Sequence, residues 1–170
     1  WFDEYCDAHI RPSGIGILPI RGPLFDRGWA CYQGYDQIIA ACREFEAQYH
    51  AREQLTDTAK LVGIVIPIES PGGLCVGLLD CCDAVRRLRD LVPVYTVADR
   101  EACSAAEAIA AQGTLSYCTR DSLRGSLGAR MSHLDYSGHL AKDGEDMRHF
   151  KSGRFKDAGA GDVPRSSETV

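Results

Sequence analysis

The chain has 170 residues, of which 45 % are apolar, so it is long and hydrophobic enough to bury the core of one domain. Its formal net charge of −5 argues against the clustered basic surface of a nucleic-acid-binding protein. No apolar run reaches the length of a membrane span, no signal peptide is visible, and no CxxC spacing indicates a metal site. We therefore expect a cytoplasmic protein without a metal or organic cofactor.

The predicted elements alternate between strands and helices. Residues 15–20 predict a strand, 35–50 an amphipathic helix, and 51–60 a polar linker. Residues 61–68 are almost continuously apolar, as in a parallel strand covered on both faces. A Ser-Pro-Gly-Gly turn at 70–73 follows, then a helix over 74–90, a strand over 93–98, a helix over 104–112 and a strand over 115–118.

This alternation predicts an α/β domain with a largely parallel sheet. From residue 119 onward the chain is richer in glycine, serine and charge, and predicts short elements only. We expect residues 1–155 to form the main domain and residues 156–170 to form a polar tail or an oligomerisation arm. The eight cysteines, such as Cys42, Cys75 and Cys103, lie mostly inside apolar stretches, which favours reduced, buried thiols.

Ser104 is a candidate nucleophile because it follows a predicted buried strand and begins an Ala-rich helix. A serine at that position is more often only a helix N-cap, and this alternative is left open. The glycines at Gly72 and Gly73 would let backbone N–H groups approach a ligand, although Pro-Gly-Gly is equally a tight turn. In a parallel sheet, both features lie at the carboxyl edge, where α/β proteins place their sites.

Lys156 is a candidate general base, but its local sequence alone indicates a solvated surface lysine. Six segments taken together change this interpretation. They resemble, in order along the chain, the signal peptide peptidase A family of serine peptidases and its bacteriophage capsid-assembly branch. The segments are LPIRGPLF (18–25), GYDQIIAA (34–41), GIVIPIESPGG (63–73), PVYTVADREACSAAEAIAA (93–111), GSLGARMSHLDYSG (125–138) and KSGRFKDAG (151–159).

The resemblance implies the ClpP/crotonase-type fold and a serine endopeptidase with a Ser–Lys dyad. Matched by position, Ser104 is implied as nucleophile, Lys156 as general base, and Ser126 as the residue that helps orient the lysine amine. Gly72 and Gly73 correspond to the oxyanion hole. The family also implies a homo-oligomeric ring, in which the dyad can be completed across subunits, and a peptide or protein substrate such as a phage scaffold or portal protein.

The resemblance to this branch implies a location in the bacterial host cytoplasm or the phage prohead. Because the chain begins at Trp1 rather than methionine, a membrane-associated relative with a trimmed N-terminal segment stays an alternative. Three positions depart from the family pattern. Glu107 replaces an uncharged residue and could hold Lys156 protonated, Pro67 interrupts a predicted central strand, and Glu69 replaces an aspartate.

Three rival functions remain open. A ClpP-like Ser-His-Asp peptidase would use His133, which follows Ser104 in roughly the right region and has Asp135 nearby. A crotonase would bind acyl-CoA and would leave the KSGRFKD segment unexplained. An inactive assembly or scaffold protein would keep the fold without the chemistry, and Glu107 is the main feature in its favour.

Overall fold

The computed structural model describes residues 8–51, 60–130, 132–153, 156 and 160–162. They fall into two compact units, within residues 1–128 and 129–170. The predicted boundary between residues 155 and 156 stays a prediction. Described elements of the first unit are β1 (His9–Ile10), β2 (Ile15–Ile17), β3 (Ile20–Arg21), β4 (Leu24–Phe25), β5 (Gln33–Gly34), α1 (Tyr35–Ala51), β6 (Gly63–Ser70), α2 (Leu78–Leu91), β7 (Val94–Cys103), α3 (Ala105–Ala110), β8 (Leu115–Cys118) and β9 (Leu123–Gly125); that of the second is α4 (Ser137–Asp143).

The central sheet has the strand order β1-β2-β6-β7-β8, with β3 also pairing with β6 and β9 with β7. Within it, β1 and β2 pair antiparallel, whereas all the other described pairs are parallel. The strands β4 and β5 form a small parallel sheet of their own. The predicted α/β class with a largely parallel sheet is therefore confirmed.

The core lies on one face of this sheet. Along β6 every second side chain is buried, and Ile64, Ile66 and Ile68 join one hydrophobic cluster with residues of α1, α2 and α3. Burial of each such side chain contributes about 1.5–3 kcal/mol to folding. The alternate residues of β6, such as Val65 and Pro67, are only half-buried. Full coverage of both faces, as predicted for residues 61–68, is therefore wrong for the described part of the chain.

Two element boundaries differ from the prediction for local reasons. Strand β7 runs on to Cys103 because the charged side chains of Asp99 and Arg100 are exposed while residues 101–103 pair with β9. Helix α2 begins at Leu78 rather than residue 74 because Gly77 has a φ of 83°, which is a left-handed conformation.

Pro67 does not interrupt β6, contrary to the prediction, and pairs in register with Val97. Ile64 donates its N–H to Pro93 on the β7 side, so the nitrogen of Pro67, three positions later, faces the opposite side. There β2 has ended at Ile17 and β3 has not yet begun, so the missing donor falls at a break in the ladder.

Candidate active site

Ser104 forms the sharp turn between β7 and α3. Its backbone has a φ of 54° and a ψ of −117°, a conformation that costs a non-glycine residue about 1–3 kcal/mol. Its N–H donates to the carbonyl of Gly125 over 2.7 Å. Within the described residues its hydroxyl makes no capping hydrogen bond to α3, so the N-cap interpretation does not account for this serine. A strained strand-to-helix turn is the geometry that presents a nucleophilic serine in α/β-hydrolases.

Gly72 packs directly against this turn. A Cβ atom added to Gly72 would lie 2.8 Å from the Cβ of Ser104 and 2.6 Å from the carbonyl oxygen of Cys103. Gly72 also has a φ of 98°, which disfavours any side chain. The Ser-Pro-Gly-Gly turn and Ser104, predicted to share one edge of the sheet, therefore lie in contact.

Ser70 holds the glycine turn in place. Its buried hydroxyl donates to the carbonyl of Gly22 over 2.7 Å and accepts the N–H of Gly72 over 3.1 Å. Within the part of the chain that the structure describes, the N–H groups of Gly73 and Ala105 have no hydrogen-bond partner. Sequence reasoning missed Ser70, although a serine whose hydroxyl bonds the N–H two residues later is a known turn device.

Glu107, one helical turn after Ser104, is paired with Arg124 of β9. The guanidinium donates two hydrogen bonds to the carboxylate, of 2.8 Å and 2.9 Å. The side chains of Arg124 and Glu107 are only 24 % and 16 % exposed, and the hydrogen bond to Glu107 raises the pKa of Arg124 further. The charge of Glu107 therefore has a partner in its own unit, which weakens the argument that this carboxylate holds Lys156 in its protonated form.

The remaining predicted residues divide between the two units. Ser126 follows Gly125 directly, is exposed, and has a φ of 54°. Lys156 lies in the second unit, where its side chain is exposed and its backbone N–H donates to Gly153 over 3.4 Å. The rival base His133 is also an exposed residue of that unit. The catalytic roles of all these residues stay predictions.

The described residues contain no cluster of three or more His, Cys, Asp or Glu side chains able to hold a metal ion. None of the described helices is both long and apolar enough to cross a membrane. The described cysteines are free thiols, of which Cys42, Cys81, Cys82 and Cys103 are buried. Cys75, predicted to be buried, is exposed because it lies in the turn before α2.

Comparison with known proteins gives the following relatives. No model of a protein family matches the chain. The chain is 35 % identical over 166 residues to the head-tail preconnector protein GP5 of Enterobacteria phage P21, covering 91 % of this chain and 31 % of that protein. It is 32 % identical over 149 residues to the capsid assembly protease C of Escherichia phage lambda, covering 85 % and 32 %. It is 30 % identical over 117 residues to a candidate signal peptide peptidase SppA of Enterococcus faecium, covering 65 % and 34 %.

The chain is therefore similar to phage capsid-assembly proteins and to a signal peptide peptidase SppA. The resemblance stated from the sequence is thus confirmed, although the chain spans about one third of the length of these relatives. A crystal structure from Acinetobacter baumannii, described as a candidate enoyl-CoA hydratase/isomerase, matches with a TM-score of 0.50 and 16 % identity, covering 71 % of this chain and 51 % of that one. This likeness concerns the fold alone and confirms the ClpP/crotonase type.

Proposed function

We propose that this chain is the catalytic part of a serine endopeptidase in which Ser104 is the nucleophile and Lys156 the general base. The observation that carries the proposal is the turn at Ser104. Its strained backbone, free of a capping role and packed against Gly72, is retained at a cost of about 1–3 kcal/mol. Strain of this kind clusters at active sites, where it fixes the direction of a reacting group.

In the proposed mechanism the Ser104 hydroxyl attacks the carbonyl carbon of a peptide bond while the neutral Lys156 amine takes its proton. The N–H groups of Gly73 and Ala105, which have no partner among the described residues, donate to the developing oxyanion. Gly72 does not donate to the oxyanion, because its N–H already donates to the Ser70 hydroxyl. Its lack of a side chain instead lets the glycine turn lie directly against Ser104. Ser126 orients the lysine amine. The resulting Lys156 ammonium then gives this proton to the leaving nitrogen as the peptide C–N bond breaks, and water hydrolyses the acyl-enzyme to release Ser104.

The relatives support a biological setting as well. One is named a capsid assembly protease and another a head-tail preconnector protein. We therefore propose cleavage of capsid-assembly proteins, such as scaffold or portal, within the host cytoplasm or the prohead. We further propose that the chain acts in a homo-oligomeric ring and needs no cofactor.

The test is covalent labelling by a peptide-based acylating probe, compared among the native chain and the variants Ser104→Ala, Lys156→Ala and His133→Ala. Lys142→Ala, another exposed lysine of the second unit, is the matched control. The proposal predicts that labelling is lost in the first two variants and kept in the others. Loss in His133→Ala with labelling retained in Lys156→Ala would favour the Ser-His-Asp alternative. A folded native chain that is never labelled would favour the inactive scaffold.

A further inference from the structure

The pairing of Glu107 with Arg124 joins two elements that meet at the nucleophile. Glu107 lies on α3, which begins immediately after Ser104, and Arg124 is the central residue of β9. The pair is bidentate, and both side chains are mostly buried. Charge-assisted forked pairs of this kind fix geometry as well as contribute energy.

Strand β9 is held to β7 by backbone pairing, and few side-chain contacts attach it to the rest of the described residues. It is three residues long and pairs with β7 through Glu101, Ala102 and Cys103. Leu123 as a whole residue is 63 % exposed and so packs little against the core. The Cys103 thiol donates to the Leu123 carbonyl over a long 3.9 Å. The link from Arg124 to Glu107 thus adds a side-chain constraint on where β9 lies against α3, beside the backbone pairing of β9 with β7.

The position of β9 in turn sets the backbone of the nucleophile. Gly125, next to Arg124, accepts the N–H of Ser104 over 2.7 Å, and this bond holds the strained turn. Ser126, the next residue, also has a left-handed φ of 54°. A shift of β9 therefore moves an acceptor of Ser104 and moves Ser126 at the same time.

We propose that Arg124 is a positioning residue, which acts through Glu107 to hold β9 and thereby the reactive conformation of Ser104. The inference rests on the proposed function, since it assigns a role within that same site. It also gives Glu107 a purpose: the carboxylate that departs from the family pattern is one half of this constraint.

The test measures the two constants of covalent inactivation, the maximal rate kinact and the half-saturating probe concentration KI, together with the folded fraction by circular dichroism. Arg124→Met removes the ion pair. Arg124→Lys keeps a positive hydrogen-bond donor towards Glu107, and Glu107→Gln keeps a hydrogen-bond acceptor towards Arg124. Arg86→Met is the control because it removes a 2.7 Å pair with Asp83 on an exposed surface, where the two side chains are 53 % and 50 % exposed.

We expect Arg124→Met to lower kinact about 10-fold with KI changed less than about two-fold, because the probe still binds but the nucleophile is misplaced. Arg124→Lys and Glu107→Gln should lose less, and Arg86→Met should match the native chain. A native kinact in Arg124→Met, or a loss no larger than its loss of folded fraction, would overturn the inference. If Arg124→Met does not fold, an unchanged kinact in both Arg124→Lys and Glu107→Gln would overturn it instead. A native chain that is never labelled would overturn the proposed function, and this inference with it.

Discussion

The substitution Gly72→Ala tests the contact on which the candidate site is built. The added methyl group would lie 2.8 Å from the Cβ of Ser104 and 2.6 Å from the carbonyl oxygen of Cys103, at a φ of 98°. Left-handed backbone costs an alanine about 1–2 kcal/mol. Crowding in a packed site adds about 1–3 kcal/mol. We therefore expect a loss in the free energy of unfolding of about 2–5 kcal/mol.

Gly22→Ala is the matched control for backbone strain. Gly22 has a φ of 66°, and an added Cβ would have no atom within 4 Å. It should lose only the backbone cost of about 1–2 kcal/mol. The difference between the two variants therefore isolates the crowding against Ser104.

The assay is denaturant unfolding of both variants at one temperature, followed by probe labelling in the absence of denaturant. Typical domains have about 5–15 kcal/mol of stability, so a folded population is expected for each variant. Gly72→Ala should also be labelled at least about 10-fold more slowly than Gly22→Ala, because a displaced nucleophile reacts poorly. Equal stability and equal labelling of the two variants would refute the close packing of Gly72 on Ser104.

Two further predictions follow from buried groups. Ser70→Ala leaves the Gly22 carbonyl and the Gly72 N–H without their partner, so it should lower the free energy of unfolding by about 1–3 kcal/mol and slow labelling. The control Ser122→Ala, at an exposed hydroxyl, should lower it by less than about 0.5 kcal/mol. Equal unfolding midpoints of the two variants would contradict this prediction. Burial, with a smaller effect of Glu46, raises the pKa of the Cys42 thiol from 9.0 to about 12. The unfolded thiol ionises first, so stability present below pH 9 should fall towards pH 11 by about 1.4 kcal/mol per unit. If the unfolding midpoint of Cys42→Ala falls between pH 8 and pH 11 as steeply as that of the native chain, ionisation of Cys42 is not the cause of the loss.

The regular part of the fold could be predicted from the sequence because its signals are local. The helical spacing of apolar residues placed α1 to within one residue, and the apolar run at residues 61–68 marked the central strand. The end of β7 could not be predicted, because Asp99 and Arg100 resemble a loop until pairing with β9 is known. The effect of Pro67 likewise depends on which neighbour its nitrogen faces, and sequence alone does not give that register.

The candidate site shows the same division. The family motifs and the edge rule for parallel sheets were enough to bring Ser104 and Gly72 together. The Glu107–Arg124 pair was missed because its members are 17 positions apart and no sequence motif links the two positions. Glu107 considered alone suggested impaired catalysis, whereas its partner gives it a positioning role in our inference. A charged residue beside a site needs its partner before its effect can be judged.

The most direct test of the central claim is to locate the covalent adduct of the peptide-based acylating probe. The probe is allowed to react with the native chain, and the chain is digested and sequenced by mass spectrometry. Our account predicts one adduct per chain, on the Ser104 hydroxyl, and none in Ser104→Ala. An adduct on another residue, or a folded chain that carries none, would contradict the account.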